Sequence, residues 1–200
     1  MATIRDTLIE ITQVQEEFDK VGNDSILVKE LMNFTTVLYF DYLPHSILDR
    51  ARNHKLPEIN GLKKYYELFS QKDLLKEYIR FNNIGQFSVI WNAYEKYLRE
   101  KYRELFNQPR FKIKELFTDL INEINPENKE KILEEFEVIR NTRNSLHDGG
   151  IYNENFSVFI GALHGQSYEF RPGEQVKPLR VMDVVQTIWS HYRIIENVDN

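Results

Sequence analysis

The side chains best suited to chemistry lie together in residues 139–150, whose sequence is IRNTRNSLHDGG. If this stretch closes a helix, Arg140 and His147 lie two turns apart, roughly 10 Å along the axis and nearly in line. Asn144 lies between them, at i+4 from one and i+3 from the other, so it is within reach of both. A guanidinium, an amide and an imidazole on one side of a helix can bind a phosphate and move a proton beside it.

The same residues also have a purely structural explanation. The helix macrodipole favours Arg and His side chains in the last turn of a helix. Gly149 and Gly150 directly follow and permit a left-handed helix end. The spacing therefore leaves two interpretations open, a functional site and an ordinary helix C-terminus.

The functional interpretation requires Arg140, Asn144 and His147 to converge on one substrate. His exchanges a proton near neutral pH, and Arg offers a permanently charged planar fork for a phosphate. Together they can activate a ribose 2′-hydroxyl and stabilise charge on the adjacent phosphate without a metal ion. Because DNA lacks that internal nucleophile, this chemistry would select RNA.

The composition narrows the classes of protein to which the chain can belong. Its 200 residues are 42% hydrophobic with 8 Gly and 6 Pro, which predicts one folded domain over residues 1–200. A formal net charge of −5 argues against a protein whose whole surface binds nucleic acid, but leaves room for a local basic cleft. Since there are no cysteines, disulfides, thiolate catalysis and cysteine zinc sites are excluded.

Other sites find little support in the sequence. The five histidines lack metal-ligand spacing, so we predict no metal and no cofactor. No glycine-rich phosphate loop and no Gly-x-Ser-x-Gly nucleophile turn occur, and the acidic runs are typical of solvated helix faces. Neither a signal peptide nor a charge-poor span is visible, which favours a cytoplasmic protein that does not enter a membrane.

Hydrophobic periodicity predicts an all-α helical bundle with a small β-hairpin before the C-terminal helix. The hairpin is expected at about residues 156–171, with residues 161–165 as its connection. Around Gly85 the pattern fits either one kinked long helix or two helices. The predicted helical segments cover residues 4–21, 26–43, 46–52, 62–69, 73–105, 113–124, 126–147 and 181–197.

The helix that ends at His147 carries one local inconsistency. Its apolar stripe consists of Ile132, Phe136, Ile139 and Leu146. Arg143 falls inside that stripe, where the spacing calls for an apolar side chain. Breaks of this kind concentrate at functional or strained sites, so Arg143 becomes a further candidate beside Arg140.

These residues resemble the motif of the HEPN domains (higher eukaryotes and prokaryotes nucleotide-binding). That motif is an Arg, usually followed by a polar residue, and then a His after four to six positions near a helix end. Arg140, Asn141 and His147 match it. Residues 143–152 also resemble the Arg-Asn-x-x-x-His-x-x-Gly endings of bacterial members, one residue shorter between Arg and His. Arg140 is therefore the first choice for the motif arginine and Arg143 the second.

The resemblance implies an all-α HEPN-like bundle that forms a homodimer, with two motifs facing each other across a cleft. It implies a metal-independent endoribonuclease that leaves 2′,3′-cyclic phosphate ends, as in toxins and phage-defence effectors. His147 would be the acid or base, Arg140 the phosphate contact, and Asn141 an orienting residue, with Asn144 and Arg143 binding the substrate. The alternative is a non-catalytic module that binds nucleotide, RNA or protein and has a regulatory role. An antitoxin or regulatory protein is then a possible partner.

Overall fold

The computed structural model describes residues 4–21, 25–39, 72–153 and 157–197, with side chains from residue 6 in the first range and from residue 84 in the third. Over these residues the chain forms six helices and one two-stranded hairpin, which confirms the mostly helical class. It divides into two compact units, residues 1–86 and 87–200. The predictions for residues 40–43, 46–52 and 62–69 lie outside the described residues, and the single domain over residues 1–200 stays a prediction.

The first unit contains helices α1 (Ile4–Val21) and α2 (residues 26–39). The amide nitrogen of Gln15 on α1 lies 3.2 Å from Thr35 Oγ1 and 3.0 Å from Thr36 Oγ1 on α2. Both hydroxyls donate to the carbonyl of Met32, so they accept from Gln15. Most of the buried apolar residues of these two helices recur at steps of three and four: Ile11, Val14, Phe18, Leu27, Leu31, Phe34 and Leu38. Val28 is buried beside them.

Helix α3 is continuous from Lys72 to Phe106, so no separate helices meet at Gly85. It ends at Asn107, whose φ of 49° lies in the left-handed region that Asn tolerates. Helix α4 (Ile113–Ile124) ends in the same way at Asn125, with φ of 50°. None of the described helices is both long enough and apolar enough to span a lipid bilayer.

Helix α5 (Lys129–His147) packs on α4 and α3 through an aromatic cluster in the second unit. The rings of Phe136 on α5 and Phe117 on α4 stack at 4.1 Å between centroids and 12° between planes. Trp91 and Tyr94 of α3 lie 5.9 and 6.4 Å from the Phe136 ring. The predicted apolar stripe is buried at three positions: Ile132, Phe136 and Ile139. Its predicted continuation, Leu146, is only half-buried, and so is Arg143.

A second buried stripe on α5 was not predicted, because most of it is polar. Val138, Asn141 and Ser145 follow one another at steps of three and four and are each at most 2% exposed. The Ser145 hydroxyl donates to the carbonyl of Asn141 at 2.8 Å, and the Thr142 hydroxyl donates to that of Val138 at 2.9 Å. Since these hydroxyls bond within the helix backbone, they can be buried without losing a hydrogen-bond partner.

The hairpin consists of β1 (Phe159–Leu163) and β2 (Gln166–Phe170), paired antiparallel. Its position confirms the prediction, but its connection is shorter than the predicted residues 161–165. Only His164 and Gly165 turn the chain, with φ of 46° and 73°. Two consecutive left-handed residues are typical of the tight turns that match strand twist, and His tolerates this region better than most side chains.

Strand β1 lies against α5. The Ala162 N–H donates to Glu134 Oε1 at 2.6 Å, which satisfies a donor on the edge of the strand. Gly161 approaches α5 so closely that a Cβ built there would lie 2.7 Å from Val138 Cγ2. The hairpin therefore covers the side of α5 that carries the second stripe at Val138.

We expect Gly161→Ala to lower the free energy of unfolding by about 1–3 kcal/mol, because the added methyl group overpacks this contact. Besides Val138, it would meet the Phe159 ring at 2.9 Å. Urea denaturation followed by circular dichroism measures the change. Gly85→Ala is a control with the opposite expected effect. Apart from its own helix backbone and chain neighbours, no described atom lies within 4 Å of the position its methyl group would take, and Ala favours a helix by about 0.5–1 kcal/mol. Equal urea midpoints for wild type and Gly161→Ala would contradict the close approach.

Strand β2 ends at Phe170, as predicted. Helix α6 (Val181–Ile195) is the last of the described helices. Its predicted apolar face is buried: Val185, Ile188, Trp189, Tyr192 and Ile195. Three polar residues share the interior with them, and the periodicity did not predict this: Asp183, Thr187 and His191.

Candidate functional site

The chain leaves α5 through the predicted left-handed stop. Gly149 and Gly150 have φ of 68° and 88°, which confirms this prediction. The Gly150 N–H donates to the carbonyl of Ser145 at 2.8 Å, and the Val176 N–H donates to the carbonyl of Gly150 at 2.8 Å. Hydrogen bonds on both sides of Gly150 therefore fix the backbone that follows His147.

Arg140 lies in a network of polar side chains. Its Nη2 donates to Asn141 Oδ1 at 2.8 Å and to Glu137 Oε2 at 3.1 Å. Lys114 on α4 also contacts Glu137 Oε2, at 3.2 Å. The Arg140 side chain is 11% exposed, and Asn141 is 1% exposed. Arg140 and Lys114 thus share the Glu137 carboxylate, and Asn141 holds the Arg140 guanidinium in place.

Arg143 has a different environment one turn further along α5. Its Nη1 donates to Asn144 Oδ1 at 3.0 Å, and within the described ranges no carboxylate pairs with it. Arg143 and Asn144 are half-buried, whereas His147 is exposed. Arg143 and His147 are four residues apart, so their Cβ atoms lie roughly 6 Å from each other on one face.

The five predicted site residues therefore fall into two groups on the last two turns of α5. Arg140 and Asn141 form the inner group with Glu137, while Arg143, Asn144 and His147 form the outer group at the helix end. The outer group combines an accessible imidazole with a guanidinium whose charge no described carboxylate neutralises. It can bind a phosphate diester and exchange a proton with a group beside it.

No family model matches the chain, and neither the curated proteins nor the solved structures contain a significant match. The resemblance to HEPN domains stays a prediction, which rests on Arg140, Asn141 and His147 and on their place at a helix end. Among the described residues, no three His, Asp or Glu side chains are grouped as they would need to be to hold a metal ion.

A buried polar cluster that the sequence analysis missed lies behind the aromatic core of the second unit. The Tyr94 hydroxyl lies 2.8 Å from His191 Nδ1, and His191 Nε2 lies 3.6 Å from Glu135 Oε2. His191 is fully buried, and burial lowers its pKa, which favours the neutral ring. Since Nε2 faces a carboxylate, it carries the ring proton, and Nδ1 accepts from the Tyr94 hydroxyl.

A weak signal for this cluster was present in the sequence. His191 follows Val184 by seven residues and precedes Ile195 by four, so it belongs to the buried side of α6. Periodicity alone did not identify its partners, because Tyr94 is 97 positions away in the chain.

Proposed function

We propose that this chain is a metal-independent endoribonuclease of HEPN type whose catalytic groups are His147 and Arg143. The observation that carries the proposal is the outer group at the end of α5. There an exposed imidazole lies one turn from a guanidinium that no described carboxylate neutralises. Both side chains project from a helix end whose following backbone is fixed by hydrogen bonds. Such fixed placement is what acid–base catalysis on a bound phosphate requires.

Each residue has a role that follows from its contacts. His147 exchanges the proton of the attacking 2′-hydroxyl or of the leaving 5′-oxygen. Arg143 stabilises the negative charge on the phosphate, and Asn144 holds its guanidinium through the 3.0 Å hydrogen bond. Arg140 and Asn141 act as positioning residues, because the Arg140 side chain is only 11% exposed and is already hydrogen-bonded to Glu137 and Asn141. This assignment reverses the order of preference that the motif spacing gave the two arginines.

A homodimer completes the proposed site. One chain supplies one His at this helix end, while the cleavage of a phosphodiester benefits from both an acid and a base. A second copy related by a two-fold axis would place another His147 across the cleft. We propose that this activity belongs to a toxin or phage-defence effector in the cytoplasm. An antitoxin or regulatory protein would restrain it.

The second candidate is a non-catalytic module that binds RNA or a nucleotide. The net charge of −5 favours it over an RNA-cleaving enzyme, because an acidic surface repels the phosphates of a large nucleic-acid substrate. Glu137 also lies beside the Arg140 guanidinium and competes with a phosphate for it. This candidate uses the same outer group, so cleavage has to be measured to separate the two.

We expect the purified protein to cleave RNA in the presence of EDTA and to leave 2′,3′-cyclic phosphate ends. Arg143→Ala is expected to lower kcat/KM by about 10²–10³-fold, because it removes a donor that stabilises the developing phosphate charge. Arg103→Ala, which changes an exposed Arg on α3, is the matched control and should retain the wild-type rate.

The outcome also distinguishes the candidates. If wild type is inert on varied RNAs but binds them, and Arg143→Ala weakens that binding, the binding module is correct. If wild type neither cleaves nor binds RNA, both candidates fail, and the outer group is an ordinary helix end favoured by the macrodipole.

A further inference from the structure

A cleft of about 500 Å³ opens in the second unit between the first half of α5, the hairpin turn and α6. This volume lies within the range of about 300–1,000 Å³ that small-molecule sites occupy. Its walls include Lys131, Glu134, Glu135, His164 and Thr187. None of the proposed ribonuclease residues between Arg140 and His147 lines it, so it is a separate feature of the molecule.

Glu135 is the most unusual of these lining groups. Its side chain is only 13% exposed, yet within the described ranges its carboxylate accepts no hydrogen bond shorter than 3.5 Å. The nearest cation is Lys131, whose Nζ lies 3.6 Å from Oε1. Burial raises the pKa of Glu135, but His191 and Lys131 outweigh burial, so the pKa lies below its usual range. The Glu135 carboxylate therefore keeps acceptor positions that a donor bound in the cleft can fill.

His191, which lies behind Glu135, also has an unfilled hydrogen-bonding position. His191 is fully buried, and its Nε2 has no hydrogen-bond partner among the residues that the structure describes. That nitrogen lies 3.6 Å from Glu135 Oε2, just beyond bonding distance. Because Tyr94 fixes the ring through Nδ1, the Nε2–H points at the carboxylate that lines the cleft. The carboxylate therefore lies between a buried donor on one side and the cleft on the other.

The opposite wall presents acceptors as well. His164 Nε2 lies 3.2 Å from the carbonyl of Asp183 and 3.1 Å from Thr187 Oγ1. The Thr187 hydroxyl already donates to that carbonyl at 2.7 Å, so Nε2 must carry the ring proton. In the neutral ring, Nδ1 is then an acceptor. The His164 ring and the carboxylates of Glu134 and Glu135 together make the lining of the cleft rich in acceptors. Lys131 supplies the positive charge of the lining.

We propose that this cleft binds a small organic cation whose N–H groups donate to Glu135. An ammonium or guanidinium group would fill the acceptor positions of that carboxylate and replace Lys131 as its partner. Two carboxylates among the lining residues disfavour anionic ligands. A bound cation would also keep Glu135 ionised beside His191, so that the Nε2–H faces a charged acceptor.

Isothermal titration calorimetry with putrescine, a four-carbon diamine, tests the proposal. We expect saturable binding by wild type with a Kd at or below about 1 mM, and no heat from 1,4-butanediol, its uncharged counterpart. Glu135→Gln should weaken binding by about tenfold or more, because it removes the charge that the ammonium contacts. Glu123→Gln, which removes an exposed carboxylate on α4 outside the cleft, should bind like wild type.

Two lysine variants test whether Lys131 competes with the ligand for Glu135. Lys131→Gln is expected to tighten putrescine binding by about two- to fivefold, while Lys129→Gln, with the same charge change outside the cleft, should change it less. In the wild-type protein, the NMR resonances of the His164 imidazole should shift when putrescine occupies the cleft, so no substitution is needed for this test. Absence of saturable binding, unmoved His164 resonances, or equal weakening by Glu135→Gln and Glu123→Gln would each overturn the proposal.

Discussion

His147→Ala is expected to lower the rate of RNA cleavage by about 10²–10⁴-fold, the usual contribution of one general acid or base. His147 lies exposed at the last position of α5, so the substitution removes the imidazole without opening a cavity in the core. Single-turnover cleavage of RNA in EDTA measures the chemical step. Thermal unfolding of the variant should match wild type within about 0.5 kcal/mol, because surface substitutions rarely cost more.

The matched comparison is Arg143→Ala, one turn away on the same helix face. If both residues act on one phosphate, each single substitution and the double substitution should leave similar residual rates, since groups that act as a unit are not additive. Equal cleavage rates for wild type and His147→Ala would remove His147 from the mechanism. A monomer in light-scattering measurements, together with full activity, would remove the homodimer.

Phe136→Ala is expected to lower the free energy of unfolding by about 3–5 kcal/mol. Phe136 is 1% exposed and stacks on Phe117 at 4.1 Å, with Trp91 and Tyr94 around it. Deleting its ring removes buried apolar area and leaves a cavity among three aromatic side chains that cannot all close in. Since whole domains are stable by only about 5–15 kcal/mol, this change is a large fraction of the total.

Urea denaturation followed by tryptophan fluorescence measures this loss, because Trp91 lies beside the deleted ring. Phe111→Ala provides a control with the same chemical change at a side chain that is 86% exposed, and should stay within about 0.5 kcal/mol of wild type. Similar urea midpoints for the two variants would contradict the central place of Phe136 in the core.

The second buried stripe of α5 is the part of this helix whose burial periodicity did not predict. Ile132, Phe136 and Ile139 were identified because apolar residues at helical spacing indicate a buried face. Asn141 and Ser145 were not, because hydropathy counts them as polar. On the same side of α5, β1 packs beside Val138, and the hydrogen bond of Ser145 to the helix backbone makes its burial tolerable. The docking of a hairpin is a tertiary event that periodicity along one helix does not contain.

The sequence by itself determined that helices end at Val21, Ile124 and His147, that a hairpin precedes the last helix, and that Arg140, Asn144 and His147 share one helix. Periodicity, turn residues and the two glycines after His147 carry that information locally. Tertiary packing added a partner that no single helix contains: Glu137, which pairs with Arg140 within α5, is also joined to Lys114 on α4. It likewise decided that His191 is buried against Tyr94, 97 positions away. Long-range packing sets charge compensation and burial, and those two quantities decide which polar side chains remain available for chemistry.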